Sequence, residues 1–171
     1  GKGSEFWFIL PFEMAHLRPS PGADSRPPPN REIPPKPFEK LGARILLVED
    51  NEVNQVVASG LLEWLGLATD MVSHGQAALD ALAKTPYDLV LMDIQMPLMD
   101  GFEATRRIRS TSSPSHTSFS SIPIIAMTAN AMEGDRDKCL AQGMNDYIPK
   151  PLSLKNVFDV LSRWLPHQRP T

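Results

Sequence analysis

Cysteine is nearly missing from this chain. Cys139 is the single one, so neither an intramolecular disulfide nor a cysteine-rich zinc site can form, and a lone small residue of this kind in a helical stretch reads as core packing. Long apolar runs are missing too. None approaches the ~20 residues a membrane-spanning helix needs, and the opening FWFIL has neither the basic flank nor the cleavage site of a signal peptide. Nor is there an excess of positive charge: the formal charge is -3, and the 17 Lys and Arg are scattered along the sequence, which leaves no basic stripe for a nucleic-acid backbone. The expectations that follow are a cytoplasmic location and no nucleic acid or membrane as partner of this segment. A membrane anchor elsewhere in a parent protein stays open. A phosphate loop is missing as well, because GKGS at residues 1–4 lacks the G-x-x-x-x-G-K-[ST] spacing between a strand and a helix.

Proline, by contrast, is plentiful and clustered. Eight of the 17 prolines lie between Pro19 and Pro37, mixed with Ser, Gly, Asp and Arg, and such a stretch reads as an extended linker reaching about 60 Å if fully polyproline II. From Ala43 the texture changes. The runs "RILLV", "LATDMV", "YDLVLM", "IPIIAM" and "NDYIPK" have strand length and alternate with longer stretches of helical spacing. The stretches "RILLV", "LVLM" and "IPIIAM" are apolar rather than alternating, as strands covered on both faces must be. The first helical stretch aligns Val53, Val56, Val57, Leu61, Trp64 and Leu65, and the last aligns Leu154, Val157, Phe158, Leu161, Trp164 and Leu165, so both are expected to cover a sheet with those faces. Right-handed crossovers then predict an α/β fold, a doubly wound (βα)5 flavodoxin-like sandwich with a parallel five-stranded sheet in the order 2-1-3-4-5. Residues 110–121 read as a long polar surface loop.

In such a fold the ligand site lies beyond the carboxyl ends of the strands. Glu49 and Asp50 follow the first strand, Asp93 ends the third, Thr128 ends the fourth and Lys150 follows the fifth. Taken singly, each has a bland reading, since Asp50 or Asn51 could cap a helix, Thr128 or Asn130 another, and Lys150 could be a solvated charge. Five of them on one rim point to a site. Asp100, followed by Glu103, fits a capping box and is read as structural. Three close carboxylates repel one another, and a hard divalent cation such as Mg²⁺ relieves that repulsion while leaving one carboxylate to attack phosphorus.

The motifs "ILLVEDNEVNQ", "LVLMDIQMPLMDG", "IIAMTANAM" and "GMNDYIPKP" resemble the receiver domain of two-component response regulators, over about residues 42–166. The resemblance implies Asp93 as phosphoacceptor, with Glu49, Asp50, Asp93 and the backbone carbonyl of Gln95 as the Mg²⁺ site. It implies a phosphoryl contact for Thr128 and for Lys150, a switch role for Thr128 and Tyr147, and control of dephosphorylation by the side chains of Gln95 and Asn130. It also implies a cis bond between Lys150 and Pro151. Partners implied are the phosphohistidine donor domain of a histidine kinase and a histidine-containing phosphotransfer protein. "VEDNEVNQ" and "MTANAMEGD" resemble receivers fused to hybrid sensor kinases.

The opening "GKGSEFWFILPFE" resembles the last glycine-rich turn and final strand of a histidine kinase ATP-binding domain. The expected organisation is a kinase remnant at 1–13, a proline-rich linker at 14–41, the receiver at 42–166 and a tail at 167–171. Phe6 to Leu10, cut from its sheet, would then be a sticky edge. Three functional readings stand side by side: a phosphorelay phosphoacceptor without kinase activity of its own, a small phosphatase-like enzyme with an aspartyl nucleophile, and an unphosphorylated docking module. The complete set of carboxylates, Thr and Lys speaks against the third, and the sequence shows no clear general acid near Asp93 for the second.

Overall fold

The computed structural model describes residues 33–111, 119–129 and 133–165, with backbone alone at 133–135. The expected kinase remnant with Phe6 to Leu10, most of the proline-rich stretch, residues 112–118, Asn130 and the tail at 167–171 lie outside these limits. Five strands alternate with five α-helices: β1 (Arg44–Val48), α1 (Glu52–Trp64), β2 (Ala68–Val72), α2 (Gly75–Lys84), β3 (Leu89–Asp93), α3 (Gly101–Ser110), β4 (Ile124–Thr128), α4 (Glu133–Ala141), β5 (Asp146–Pro149) and α5 (Leu154–Trp164). All pairings are parallel, in the order β2-β1-β3-β4-β5, as the strand-helix alternation predicts.

Unbroken apolar strands are the cause of the layered core. β3 and β4 are buried at every residue and β1 at all but Arg44, because helices cover both faces of a parallel sheet. Alternate side chains go to opposite faces. Ile45, Leu47, Leu91, Ile125 and Met127 pack under α1 and α5, whereas Leu46, Val48, Val90, Met92 and Ile124 pack under α2, α3 and α4. On α5, Val157, Leu161 and Leu165 are buried, and Leu154, Phe158 and Trp164 pack against them, as the spacing predicts.

The expected core face of α1 is corrected. Its buried residues are Ala58 and Leu62, continued by Leu65. Val53, Val56, Val57 and Trp64 are exposed, the first two by 72 and 70%, and Leu61 only flanks the core. The helix carries two apolar stripes, and a periodic pattern cannot choose between them. The short connection from β1 and the Asn51 cap, whose Oδ1 accepts from the N–H groups of Val53 and Asn54, set the rotation that turns the Ala58–Leu62 stripe inward.

The end of the proline-rich stretch is also more ordered than an extended linker. From Ile33 onward it packs on the α/β sandwich, with Phe38 only 7% exposed. The Phe38 ring stacks on Phe158 at 5.5 Å between centroids. The Lys36 and Phe38 N–H groups donate to the Trp64 and Leu65 carbonyls at 2.9 and 3.0 Å, meeting acceptors that the end of α1 leaves open. Gly66 permits this approach: its φ is +83°, and a Cβ there would lie 2.8 Å from the Glu39 backbone nitrogen.

Both ends of the expected loop at 110–121 are structured. Ser110 closes α3, and Phe119–Ser121 form a 3-10 turn. Arg109 ties that turn down, donating to the Ser120, Ile122 and Gly143 carbonyls and to Asn145 Oδ1.

Candidate functional site

The carboxyl ends of β1, β3 and β4, with the residue after β5, open into one cleft of about 550 Å³. Glu49, Asp50, Asp93, Gln95, Thr128 and Lys150 all line it, so six of the residues expected from the sequence are brought together. Tyr147 packs partly buried against the cluster beneath α2, α3 and α4 and is not among the lining residues. Lys150–Pro151 is cis.

Asp93 is the last residue of β3 and only 5% exposed. Its Oδ1 accepts weakly from the Gln95 N–H at 3.3 Å, and its Oδ2 lies 2.8 Å from Lys150 Nζ. The loop after it is shaped by Gly101, where any Cβ would strike the Asp93 carbonyl oxygen. Thus α3 can begin against the end of β3. Asp100 caps α3 by accepting from the Glu103 N–H at 2.7 Å. The reciprocal half of the expected capping box is missing among the described contacts, because the Glu103 carboxylate is held by Arg106 and Arg107.

Glu49 is 1% exposed, and each of its carboxylate oxygens has a separate donor. Oε2 accepts from Lys150 Nζ at 2.6 Å and Oε1 from Asn54 Nδ2 at 2.8 Å. Gln55 Nε2 donates to the Glu49 backbone carbonyl at 2.6 Å. Neither Asn54 nor Gln55 was singled out from the sequence. Their signal was present in the motif "VEDNEVNQ": a helix starting at Glu52 puts the amides at 54 and 55 in its first turn, above the strand end that carries Glu49.

Burial holds the Asp93 carboxyl above its usual range, and the Glu49 charge adds to that, against the opposing pull of Lys150 and of the Gln95 N–H. Burial works to lower the Lys150 ammonium, but its hydrogen bonds and charge attraction to Asp93 and Glu49 outweigh this and raise it. The raised Lys150 keeps the ammonium charged between the two carboxylates, and the raised Asp93 reflects its burial beside Glu49.

One ammonium does not balance three carboxylates. Glu49, Asp50 and Asp93 each offer an oxygen within 4.8 Å of the others. An all-oxygen donor set open to water suits Mg²⁺, which keeps several waters and accepts a few carboxylates. The residues present therefore fit the ion, and Thr128 and Lys150 line the same cleft.

No helix among the described residues is long and apolar enough to cross a membrane. Comparison with known proteins agrees with the geometry. The response regulator receiver domain model matches residues 45–162. The hybrid signal transduction histidine kinase K of Dictyostelium discoideum is 34% identical over 170 residues, covering 98% of this chain and 13% of that protein. The chain spans 13 to 16% of the length of four curated kinases it matches. Among solved structures, the receiver domain of sensor histidine kinase PA1611 from Pseudomonas aeruginosa PAO1, with magnesium coordinated in its active site cleft, is 44% identical with a TM-score of 0.65. It covers 72% of this chain and 98% of that one. The receiver domain of the Saccharomyces cerevisiae response regulator Ssk1, crystallised with the histidine phosphotransfer protein Ypd1, gives 28% identity and a TM-score of 0.66, over 78% of this chain and 92% of that one. Sheet order, cleft and comparisons together show that this chain belongs to the response regulator receiver domain family, with hybrid histidine kinases among its relatives.

Proposed function

We propose that Asp93 accepts a phosphoryl group from a phosphohistidine, making this chain a phosphoacceptor within a phosphorelay. The observation that carries the reading is the convergence of a buried Asp93 with Glu49, Asp50 and Lys150 in one open cleft. An Asp93 oxygen forms the new O–P bond while the P–N bond breaks. The electron pair stays on the imidazole nitrogen, which takes a proton from water. Bound by Glu49, Asp50, Asp93 and the Gln95 carbonyl, Mg²⁺ would supply positive charge to the transferring oxygens. Lys150 neutralises a second phosphoryl oxygen, as a compact ammonium on a flexible stem suits. Thr128 offers its hydroxyl from the end of β4, and Tyr147, on the neighbouring strand β5 opposite Ala126, is assigned the response to a shift of that strand end. Asn130, together with Gln95, is assigned the tuning of phosphate lifetime.

The partner reading rests on α1. Asn51 and Asn54, at its start, line the cleft, and Val53, Val56 and Val57 lie exposed on the same helix. Leu98, in the loop after Asp93, is 92% exposed at a φ of 67°. Apolar surface beside a phosphoryl site suits a partner that must bring its histidine to Asp93. Such a partner is a histidine phosphotransfer domain, as in the complex formed by the related yeast receiver, or the donor domain of a kinase. The parent is a hybrid histidine kinase, with residues 1–13 the end of its ATP-binding domain and the proline-rich stretch the spacer to the receiver.

Intact-mass measurement after incubation with acetyl phosphate and Mg²⁺ tests the central assignment. One phosphoryl group is expected on the wild type and none on Asp93→Asn or with chelator present. A mass gain that survives either change overturns it.

A further inference from the structure

We infer that Asn54 is a positioning residue for the metal site, holding the Glu49 carboxylate in its working orientation independently of Lys150; the inference rests on the functional reading above. Glu49 carries one more rotatable bond than an aspartate would, so its carboxylate has further to wander unless it is pinned. In the structure two donors pin it, one on each oxygen. They are not equivalent. Lys150 also binds Asp93 at 2.8 Å, and its charge is shared with any phosphoryl group that enters the cleft. Asn54 is neutral and belongs to the same short segment as Glu49, so nothing in the phosphoryl transfer asks it to let go.

The geometry of the helix start makes this bond specific. Asn54 is the third helical residue after the Asn51 cap, the position from which a side chain commonly reaches back to the backbone N–H of the cap. Its own N–H is taken by Asn51 Oδ1 at 3.2 Å, while its side chain turns instead to Glu49 Oε1 at 2.8 Å. Only the amide nitrogen of an Asn can donate to a carboxylate, which settles its orientation. Gln55 then fixes the backbone of Glu49 from the next position. Carboxylate and main chain are thereby held by neighbouring residues of one helix turn. Outer partners of metal-binding carboxylates act by orienting them, and their loss commonly weakens binding 10- to 100-fold.

The test uses the full chain and isothermal titration with MgCl₂, together with phosphorylation by acetyl phosphate as a function of Mg²⁺. Asn54→Leu keeps the branched heavy-atom outline, at a somewhat larger volume, and removes the donor. It is expected to raise the Mg²⁺ dissociation constant about 10-fold, with the rate at saturating Mg²⁺ within about twofold of wild type. Ser59→Ala on the same helix should move neither. In a Glu49→Gln background, Asn54→Leu should add nothing further, since the two act as a unit. A lowered melting temperature with unchanged Mg²⁺ affinity would make Asn54 a helix-start residue only and overturn the inference, as would a full additional loss on top of Glu49→Gln. If the wild type takes up phosphate with Mg²⁺ while Asn54→Leu matches it at every Mg²⁺ concentration, the functional reading stands and only the positioning role falls. A wild type that binds no Mg²⁺ removes both.

Discussion

Glu49 and Lys150, 101 residues apart in sequence, are joined at 2.6 Å across the carboxyl end of the sheet. Lys150 follows β5, an edge strand, and reaches past β4 to β1 and β3. A long stem with a compact charge can make that span, and the guanidinium of Arg, with its planar fork, is not an equivalent replacement. The ammonium thus links the segments that bear the acidic residues before any phosphoryl group arrives.

Removing that cation should cost stability and phosphorylation together. Lys150→Met leaves Glu49 and Asp93 as neighbouring buried carboxylates. A loss of about 2 to 3 kcal/mol is expected at neutral pH, toward the low end for a broken buried pair because the Lys150 side chain keeps a fifth of its surface exposed. Urea unfolding with and without Mg²⁺ checks this: the ion should restore part of the loss, since it binds only the folded cleft. No loss without Mg²⁺ would contradict the pairing.

The two stripes of α1 should respond in opposite ways. Leu62→Ala, at a fully buried position, is expected to cost about 2 to 5 kcal/mol. Val56→Glu, on the exposed stripe, should stay within about 0.5 kcal/mol of wild type yet slow phosphoryl exchange with a histidine phosphotransfer protein at least several-fold. Equal transfer rates for Val56→Glu and wild type would remove this face from the partner surface.

Phe38 should behave as a core residue. Phe38→Ala is expected to cost about 3 kcal/mol, through the lost stack on Phe158 and the emptied end of the core. A chain beginning at Leu41 should show a comparable drop in its urea midpoint. If both match the full-length chain, residues 33–40 are only resting on the receiver.

Asp146 should contribute stability that acid removes. Burial pushes its carboxyl up, but donation from Trp164 Nε1, the Tyr147 N–H and Arg163, with the Arg163 charge, wins and holds it below the usual carboxylate range. A depressed folded value means the contribution is fully present above the unfolded pKa of about 3.9 and disappears as pH falls through the lower folded one. Asp146→Asn should therefore be less stable than wild type at pH 7, with the gap narrowing below about pH 4. Chemical unfolding at both pH values reads this directly, and a gap of constant size would exclude the ionised form as its source.

What the sequence determined by itself was whatever local spacing controls. Uniformly apolar runs of strand length such as "LVLM", alternating with stretches of helical spacing, fit strands covered on both faces, and residues at the ends of parallel strands share one rim, so Asp93, Glu49, Asp50, Thr128 and Lys150 were legible in the sequence. Tertiary structure decided the rest, because it turns on rotation and long-range contact. Either apolar stripe of α1 satisfies a helical period, and only the link from β1 and the Asn51 cap turned Ala58 and Leu62 inward and left Val53 and Val56 in solvent. Phe38 sits in a stretch whose composition reads as spacer, yet Phe158, 120 positions later, offers a ring to stack on and the end of α1 offers free carbonyls. The motif puts Asn54 in the first helical turn after Glu49, but only the fold brought its amide within 2.8 Å of a buried carboxylate oxygen.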